Sequence, residues 1–185
     1  MPSPIGHSLV GLVLLILRRR IGRWRELPSY WKEGIGFVLL ANIPDVDFFD
    51  PSIGKFDLFN PHHHGTTHTF SSAFLIATTV LLFRQRKVQR WEFGLWGWSF
   101  AAVSSHLLLD LFFSNITDPP GMAVFWPFCD QRIILPVHWY YYWEKSDIVS
   151  MANLIPAAGE LLVGGFLVAS LLFAFSQKPS NRERL

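Results

Sequence analysis

Five long apolar runs limit what this chain can fold into. Each approaches the roughly 20 residues that a helix needs to cross the hydrocarbon core of a bilayer. The runs cover residues 2–17, 31–47, 68–83, 93–113 and 154–176. Only 16% of the residues are charged, against about 25% in ordinary soluble domains. The sequence therefore predicts an all-α fold, a polytopic membrane helix bundle with five spans.

The second run is the weakest of the five. Only its residues 34–44 are free of charged side chains. Lys32 and Glu33 would therefore have to reach back to the membrane interface at one end. An interfacial or re-entrant segment is the alternative for this part of the chain.

Lysine and arginine residues are distributed unevenly between the segments that connect these runs. Thirteen of the 16 lie in segments 18–32, 84–90 and 178–184, and five spans place all three segments on one side. Because cytoplasmic loops are enriched in Lys and Arg, we expect the N-terminus outside and the C-terminus inside. Topology and anionic lipid account for these basic loops, so we expect membrane lipid and no nucleic acid as a partner.

The predicted topology also defines the domain organisation. We expect residues 1–176 to form a single membrane-embedded domain, in which residues 114–153 are an outer loop. Residues 177–185 are expected to form a cytoplasmic tail. The charge distribution predicts an integral membrane protein whose outer segments face the exterior.

All seven histidines and most acidic residues fall towards the outer side of this topology. His106 and Asp110 are four residues apart, so they share a helix face. An ionisable group inside a membrane costs about 2.5–3.5 kcal/mol on insertion scales and usually lines a polar site. Coordination of a cation would offset that cost. The candidate metal ligands are His7, Asp45, Asp47, His63, His68, His106 and Asp110.

Imidazole and carboxylate ligands together suit zinc, with manganese or iron as alternatives. The number of candidate ligands allows one or two ions. Each group also has a simpler explanation: a packed histidine, a hydrogen-bonded pair at a helix end, a solvated histidine loop or interfacial charges. The occurrence of all four groups on one side favours a shared metal site.

The segment 114–153 is rich in aromatic residues, with HWYYYW at 138–143. Trp and Tyr favour the membrane interface, so a simple anchor explains this composition. The functional alternative is a lid that covers the site and contacts lipid. Arg132 could bind a phosphate there, or it could pair with Asp130.

The order of these motifs resembles a known family. The residues concerned are His7, PDVD at 44–47, HHGTTHT at 63–69, HLLLD at 106–110 and GMAVFWPF at 121–128. They resemble the bacterial inner-membrane metal-dependent hydrolases of the YdjM type, a family also labelled LexA-binding, inner membrane-associated putative hydrolase. The family commonly has HRG-x-THS where this chain has HHGTTHT, so His64 replaces an arginine and Thr69 a serine.

The ligand order of that family is similar to the order in zinc-dependent phospholipase C and the single-strand nucleases. The resemblance implies that one ion is held by an aspartate of PDVD, by His63 or His68, and by His106 and Asp110. It further implies that His7 helps to hold a second ion, which Asp110 bridges to the first.

These features predict a hydrolase that cleaves a phosphoester of a lipid or lipid-linked substrate by metal-activated water. Asp47 or Asp45 is the candidate general base, and His64 or Arg132 would stabilise developing charge. The alternatives are a metal carrier or sensor and a non-catalytic membrane partner protein. A carrier needs polar groups across the bilayer, and the inner halves of the runs contain few.

Overall fold

The computed structural model describes residues 3–21, 30–50, 55–56, 65–89, 91–112, 120–135 and 150–176. Within these residues the fold consists of helices and one pair of two-residue strands. The α-helices are α1 (Pro4–Ile21), α2 (Tyr30–Asn42), α3 (Phe70–Val88), α4 (Phe93–Leu111) and α5 (Leu154–Ser176). Two 3-10 helices cover Ile43–Phe48 and Met151–Asn153. Strand β1 (Phe49–Asp50) pairs antiparallel with β2 (Lys55–Phe56). The predicted all-α fold is confirmed.

Each of the five predicted runs overlaps one of the five α-helices of the described residues. In the second run, α2 ends at Asn42 and the chain continues as a 3-10 helix over Ile43–Phe48. Pro44 in that segment has no amide hydrogen to continue the α-helical ladder. α3 begins at Phe70, since the Thr69 side chain caps the helix by accepting from the Ser72 amide at 3.1 Å.

Among the described residues, Met151–Ala174 is long and apolar enough to cross a membrane by length and composition. Large apolar side chains on α5 are exposed, including Phe166, Leu162 and Phe173. A contiguous surface of this kind is unfavourable in water and typical of contact with lipid or another chain. The number of spans and their orientation stay predictions.

α1 packs antiparallel to α2. Near one end, the side-chain amide of Asn42 donates to the Ser8 hydroxyl at 3.0 Å. At the other end, the Arg18 guanidinium lies 3.1 Å from the Glu33 carboxylate. Between these contacts, the lack of a side chain at Gly11 lets the two backbones approach closely. α1 and α2 therefore run side by side along most of their length.

α3 and α4 form a second antiparallel pair. The Trp96 indole donates to the Thr78 hydroxyl at 3.1 Å, and the Arg84 guanidinium lies 2.9 Å from the Glu92 carboxylate. α4 also packs against α1 and α2. The core between these three helices contains Leu15, Phe37 and Ala102. This packing brings the beginning of α1, the end of α2, the beginning of α3 and the end of α4 to the same end of the bundle.

We expect Gly11→Ala to destabilise the protein by about 1–3 kcal/mol through overpacking. An added Cβ at Gly11 would lie 2.8 Å from the Phe37 carbonyl oxygen, and a backbone atom cannot rotate away. Gly36→Ala is the matched control, because a Cβ there meets nothing within 4 Å and alanine is the better helix former. Thermal unfolding in detergent measures both. Equal melting temperatures for the two variants would contradict the close approach of α1 and α2.

Candidate metal centre

Four ionisable side chains converge at the end of the bundle where α4 finishes. They are Asp45, His68, His106 and Asp110, and one ligand atom from each lies within 4.8 Å of the others. The Nε2 atom of His106 lies 3.2 Å from Asp45 Oδ1 and 3.1 Å from Asp110 Oδ2. The Nε2 atom of His68 lies 3.3 Å from Asp110 Oδ2. Two imidazoles and two carboxylates form a donor set that suits zinc or a similar divalent cation.

The local structure explains how these side chains meet. His106 and Asp110 are one turn apart on α4, as their spacing predicts. Asp45 projects from the 3-10 helix that follows α2. His68 precedes Thr69, the residue that caps α3. Three of the four are fully buried, while the Asp45 side chain is 16% exposed. Two ligands thus come from a regular helix and two from the irregular ends of helices.

A hydrogen bond from the Nδ1 atom orients the ring of each histidine in the group. The Nδ1–H of His106 donates to the Ala41 carbonyl oxygen at 2.7 Å, because a carbonyl can only accept. The Nδ1–H of His68 donates to Asp47 Oδ2 at 3.0 Å. In the neutral form of each ring, Nε2 then carries a lone pair that faces the group. Metal-ligating histidines are commonly held by a carbonyl or carboxylate in this way.

Asp47 therefore lies behind His68 and outside the group of four. Its Oδ2 atom also accepts from the Thr67 hydroxyl at 2.6 Å. Asp47 is a predicted metal ligand and general base, and these two roles stay predictions. Its described contacts orient the imidazole of His68. Thr67, which no sequence motif singled out, completes this arrangement.

His7 lies on the other side of Asp110. Its imidazole is buried in the first turns of α1 and stacks on the His106 ring, with 3.7 Å between ring centroids. Its Nε2 atom lies 3.4 Å from Asp110 Oδ1. Within the described part of the chain, neither ring nitrogen of His7 has a hydrogen-bond partner. The two oxygens of Asp110 thus face different histidines.

The electrostatic field of the group favours positive charge at its centre. Asp45 Oδ1 lies 3.2 Å from His106 Nε2, and Asp110 Oδ2 lies 3.3 Å from His68 Nε2. Carboxylates next to imidazoles stabilise a proton or a cation between them.

The segment 120–135 packs against the beginning of α3. The Val124 carbonyl accepts from the Phe70 amide at 2.8 Å, and the Ser71 hydroxyl donates to the Trp126 carbonyl at 2.8 Å. Phe128 is 89% exposed, and the Phe125 and Trp126 side chains are also exposed. This aromatic loop therefore satisfies an amide at the start of α3 and presents apolar rings outwards.

Arg132 holds the base of this loop. Its guanidinium donates from Nε to the Pro120 carbonyl at 3.0 Å and from Nη2 to the Gly121 carbonyl at 2.6 Å. Gly121 has a positive φ of 83°, which glycine adopts at little cost. These two hydrogen bonds of Arg132 stabilise the turn at Gly121. His63 and His64, the remaining predicted site residues, lie outside the described residues.

Comparison with known proteins identifies a family and a relative of this chain. The inner membrane protein YbcI of Escherichia coli (strain K12) is 28% identical over 138 residues, which cover 74% of this chain and 73% of that protein. No solved structure matches the chain. The family described as YdjM inner membrane protein matches residues 1–181. The predicted resemblance to the YdjM family is thereby confirmed, and the chain belongs to the YdjM family of inner membrane proteins.

Proposed function

We propose that this protein is a membrane-embedded, metal-dependent hydrolase that cleaves a phosphoester of a lipid or lipid-linked substrate. The observation that carries the proposal is the convergence of Asp45, His68, His106 and Asp110 at one buried point. The charge asymmetry of the loops supports five spans, with the N-terminus and this site at the outer, periplasmic face. The C-terminus then lies in the cytoplasm.

The donor atoms fit a divalent cation. The Nε2 atoms of His68 and His106 are 3.2 Å apart, and their Nδ1–H groups are already donated elsewhere. Two lone pairs at this distance repel each other, and so do two buried carboxylates. A proton or a cation between them removes both repulsions. Zinc is the ion that such a donor set suits best, and manganese or iron use the same ligand types.

The placement of His7 supports a second ion. Asp110 Oδ2 faces His68 and His106, whereas Asp110 Oδ1 faces His7. A carboxylate with one oxygen on each side can bridge two ions. His7 is buried without a hydrogen-bond partner for its ring nitrogens among the described residues, which is unfavourable for a polar group unless a ligand satisfies it.

A bound divalent cation would act as a Lewis acid on a phosphoryl oxygen and lower the pKa of water. The side chains define the direction of approach. Asp45 is partly exposed, whereas His68, His106 and Asp110 are fully buried. Substrate and water therefore enter on the Asp45 side. Because Asp45 is the partly exposed member of the group, we assign it the orienting of the attacking water.

The aromatic loop supports a substrate at the membrane interface. Phe125, Trp126 and Phe128 are exposed next to the start of α3, two residues after His68. Tryptophan side chains such as Trp126 are enriched at the membrane–water interface, where the lipid head groups lie. A phosphoester in a head group would then lie at the level of the metal centre. Arg132, whose donors bind carbonyls of the loop, supports this function by holding the loop in place.

We expect the protein, purified without a histidine tag, to contain a divalent metal that His106→Ala and Asp110→Asn lose. Each substitution removes a ligand from a buried group of four. Asp130→Asn is the matched control, because Asp130 is exposed and outside the group. Elemental analysis of each variant measures the metal content. Metal that persists in both site variants would show that the group is not the binding site.

Asp47→Asn should weaken metal binding about 10- to 100-fold without abolishing it, because an outer partner of a ligating histidine typically contributes this much. Asp45→Asn should abolish binding, since Asp45 belongs to the group itself. Competition titration with a chelator of known affinity separates the two effects. An equal loss in both variants would mean that Asp47 coordinates directly.

Metal-loaded protein should hydrolyse at least one member of a panel of phospholipids and soluble phosphodiesters. The activity should disappear on chelation and return when zinc or manganese is added. His106→Ala serves as the inactive reference and Asp130→Asn as the active one. The hydrolase proposal fails if no substrate turns over in a metal-dependent way while the wild-type protein retains its metal.

A further inference from the structure

Glu160 is a charged residue in an otherwise apolar helix. The other 22 residues of α5 carry no charged side chain. α5 is also the helix that, within the described residues, is long and apolar enough to span a membrane. An ionisable group in such a segment is costly and normally has a specific partner. The partner of Glu160 lies at the beginning of α1.

The Glu160 carboxylate caps α1 from another helix. Its Oε1 atom accepts from the Ser3 amide at 2.9 Å, and its Oε2 atom accepts from the Gly6 amide at 3.0 Å and from the Ser3 hydroxyl. The Ser3 hydroxyl in turn accepts from the Ile5 amide at 3.1 Å. A capping box normally takes its carboxylate from the third position of the same helix. In this chain Gly6 occupies that position, and α5 supplies the carboxylate.

This cap lies next to His7. The His7 amide donates to the Ser3 carbonyl at 3.2 Å, so the capped turn carries the His7 side chain directly. One turn further, Gly164 of α5 makes room for Leu9, whose Cδ1 atom would lie 2.6 Å from an added Cβ. α1 and α5 therefore run parallel and in close contact from Ser3 onwards. A carboxylate at the start of a helix is also favoured by the helix dipole.

We propose that Glu160 is a positioning residue for the metal centre, which holds the first turn of α1 so that His7 lies against His106 and Asp110. The Glu160 carboxylate accepts from the backbone amides of Ser3 and Gly6 and from the Ser3 hydroxyl. α5 is thereby linked to the site although none of its residues belongs to the group of four. The effect on metal affinity rests on the proposed function, whereas the effect on His7 rests on this geometry alone.

Glu160→Gln tests the proposal, because glutamine keeps one accepting oxygen but replaces the other with an NH2 group that can only donate, and it loses the negative charge. Glu33→Gln is the matched control. It removes a carboxylate that binds Arg18 and Arg19 at the opposite end of α1, so it loosens the same helix without touching the cap. Ser3→Ala is a second variant, which removes the hydroxyl that donates to Glu160 and accepts from the Ile5 amide, and which leaves the Glu160 carboxylate and α5 unchanged.

The readout is the nitrogen chemical shift of the His7 ring in protein with ¹⁵N-labelled histidine, assigned with His7→Gln. Glu160→Gln should shift the His7 signals, Ser3→Ala should shift them less, and Glu33→Gln should leave them at the wild-type position. Cobalt(II) titration should show affinity about tenfold weaker in Glu160→Gln, the usual size of an outer-partner effect.

Unchanged His7 signals in Glu160→Gln, or equal shifts in Glu33→Gln, would overturn the role of Glu160. A wild-type protein that binds no cobalt would instead overturn the metal centre of the proposed function. The His7 signals would still decide whether Glu160 positions this side chain, because they are measured without metal. The two failures are therefore distinguishable.

Discussion

The burial of two carboxylates and three imidazoles at one end of a helix bundle is the constraint on which the rest of this structure depends. Neither residue type is stable in apolar surroundings unless opposite charge or a hydrogen bond compensates it. Asp110 meets this requirement from two directions, with His68 and His106 near one oxygen and His7 near the other. The beginning of α1 and the beginning of α3 therefore lie next to Asp110, which is near the end of α4.

The two ends of the bundle satisfy their charges in different ways. At the end remote from the histidines, Arg18 and Arg19 bind Glu33, and Arg84 binds Glu92. These are ion pairs between arginine and glutamate, in which each carboxylate is paired with at least one guanidinium. At the other end, imidazoles face carboxylates, and the net charge depends on what is bound between them. Among the described residues, the second arrangement has the ligand types that could hold a metal ion.

Groups outside the four candidate ligands determine the geometry of the candidate metal centre. Asp47 and the Ala41 carbonyl orient the two histidines. Glu160 caps the helix that carries His7, and the aromatic loop satisfies the start of α3. The site lies where helices end, so it depends on unsatisfied backbone groups being bound by residues distant in the chain. Membership of the YdjM inner membrane protein family is consistent with a polar centre at such helix ends.

The sequence by itself determined the helices and part of the site. Apolar runs located all five helices, and the spacing of four residues placed His106 and Asp110 on one face, because helical periodicity is a local property. The tertiary structure decided the rest. Asp45 and Asp47 are two residues apart and look equivalent in sequence, yet one faces the centre and the other lies behind His68. Both residues lie on the 3-10 helix Ile43–Phe48, which has about three residues per turn, so side chains two residues apart point in different directions. The cap from Glu160 and the carbonyl of Ala41 are likewise contacts between distant helices, which only packing brings together.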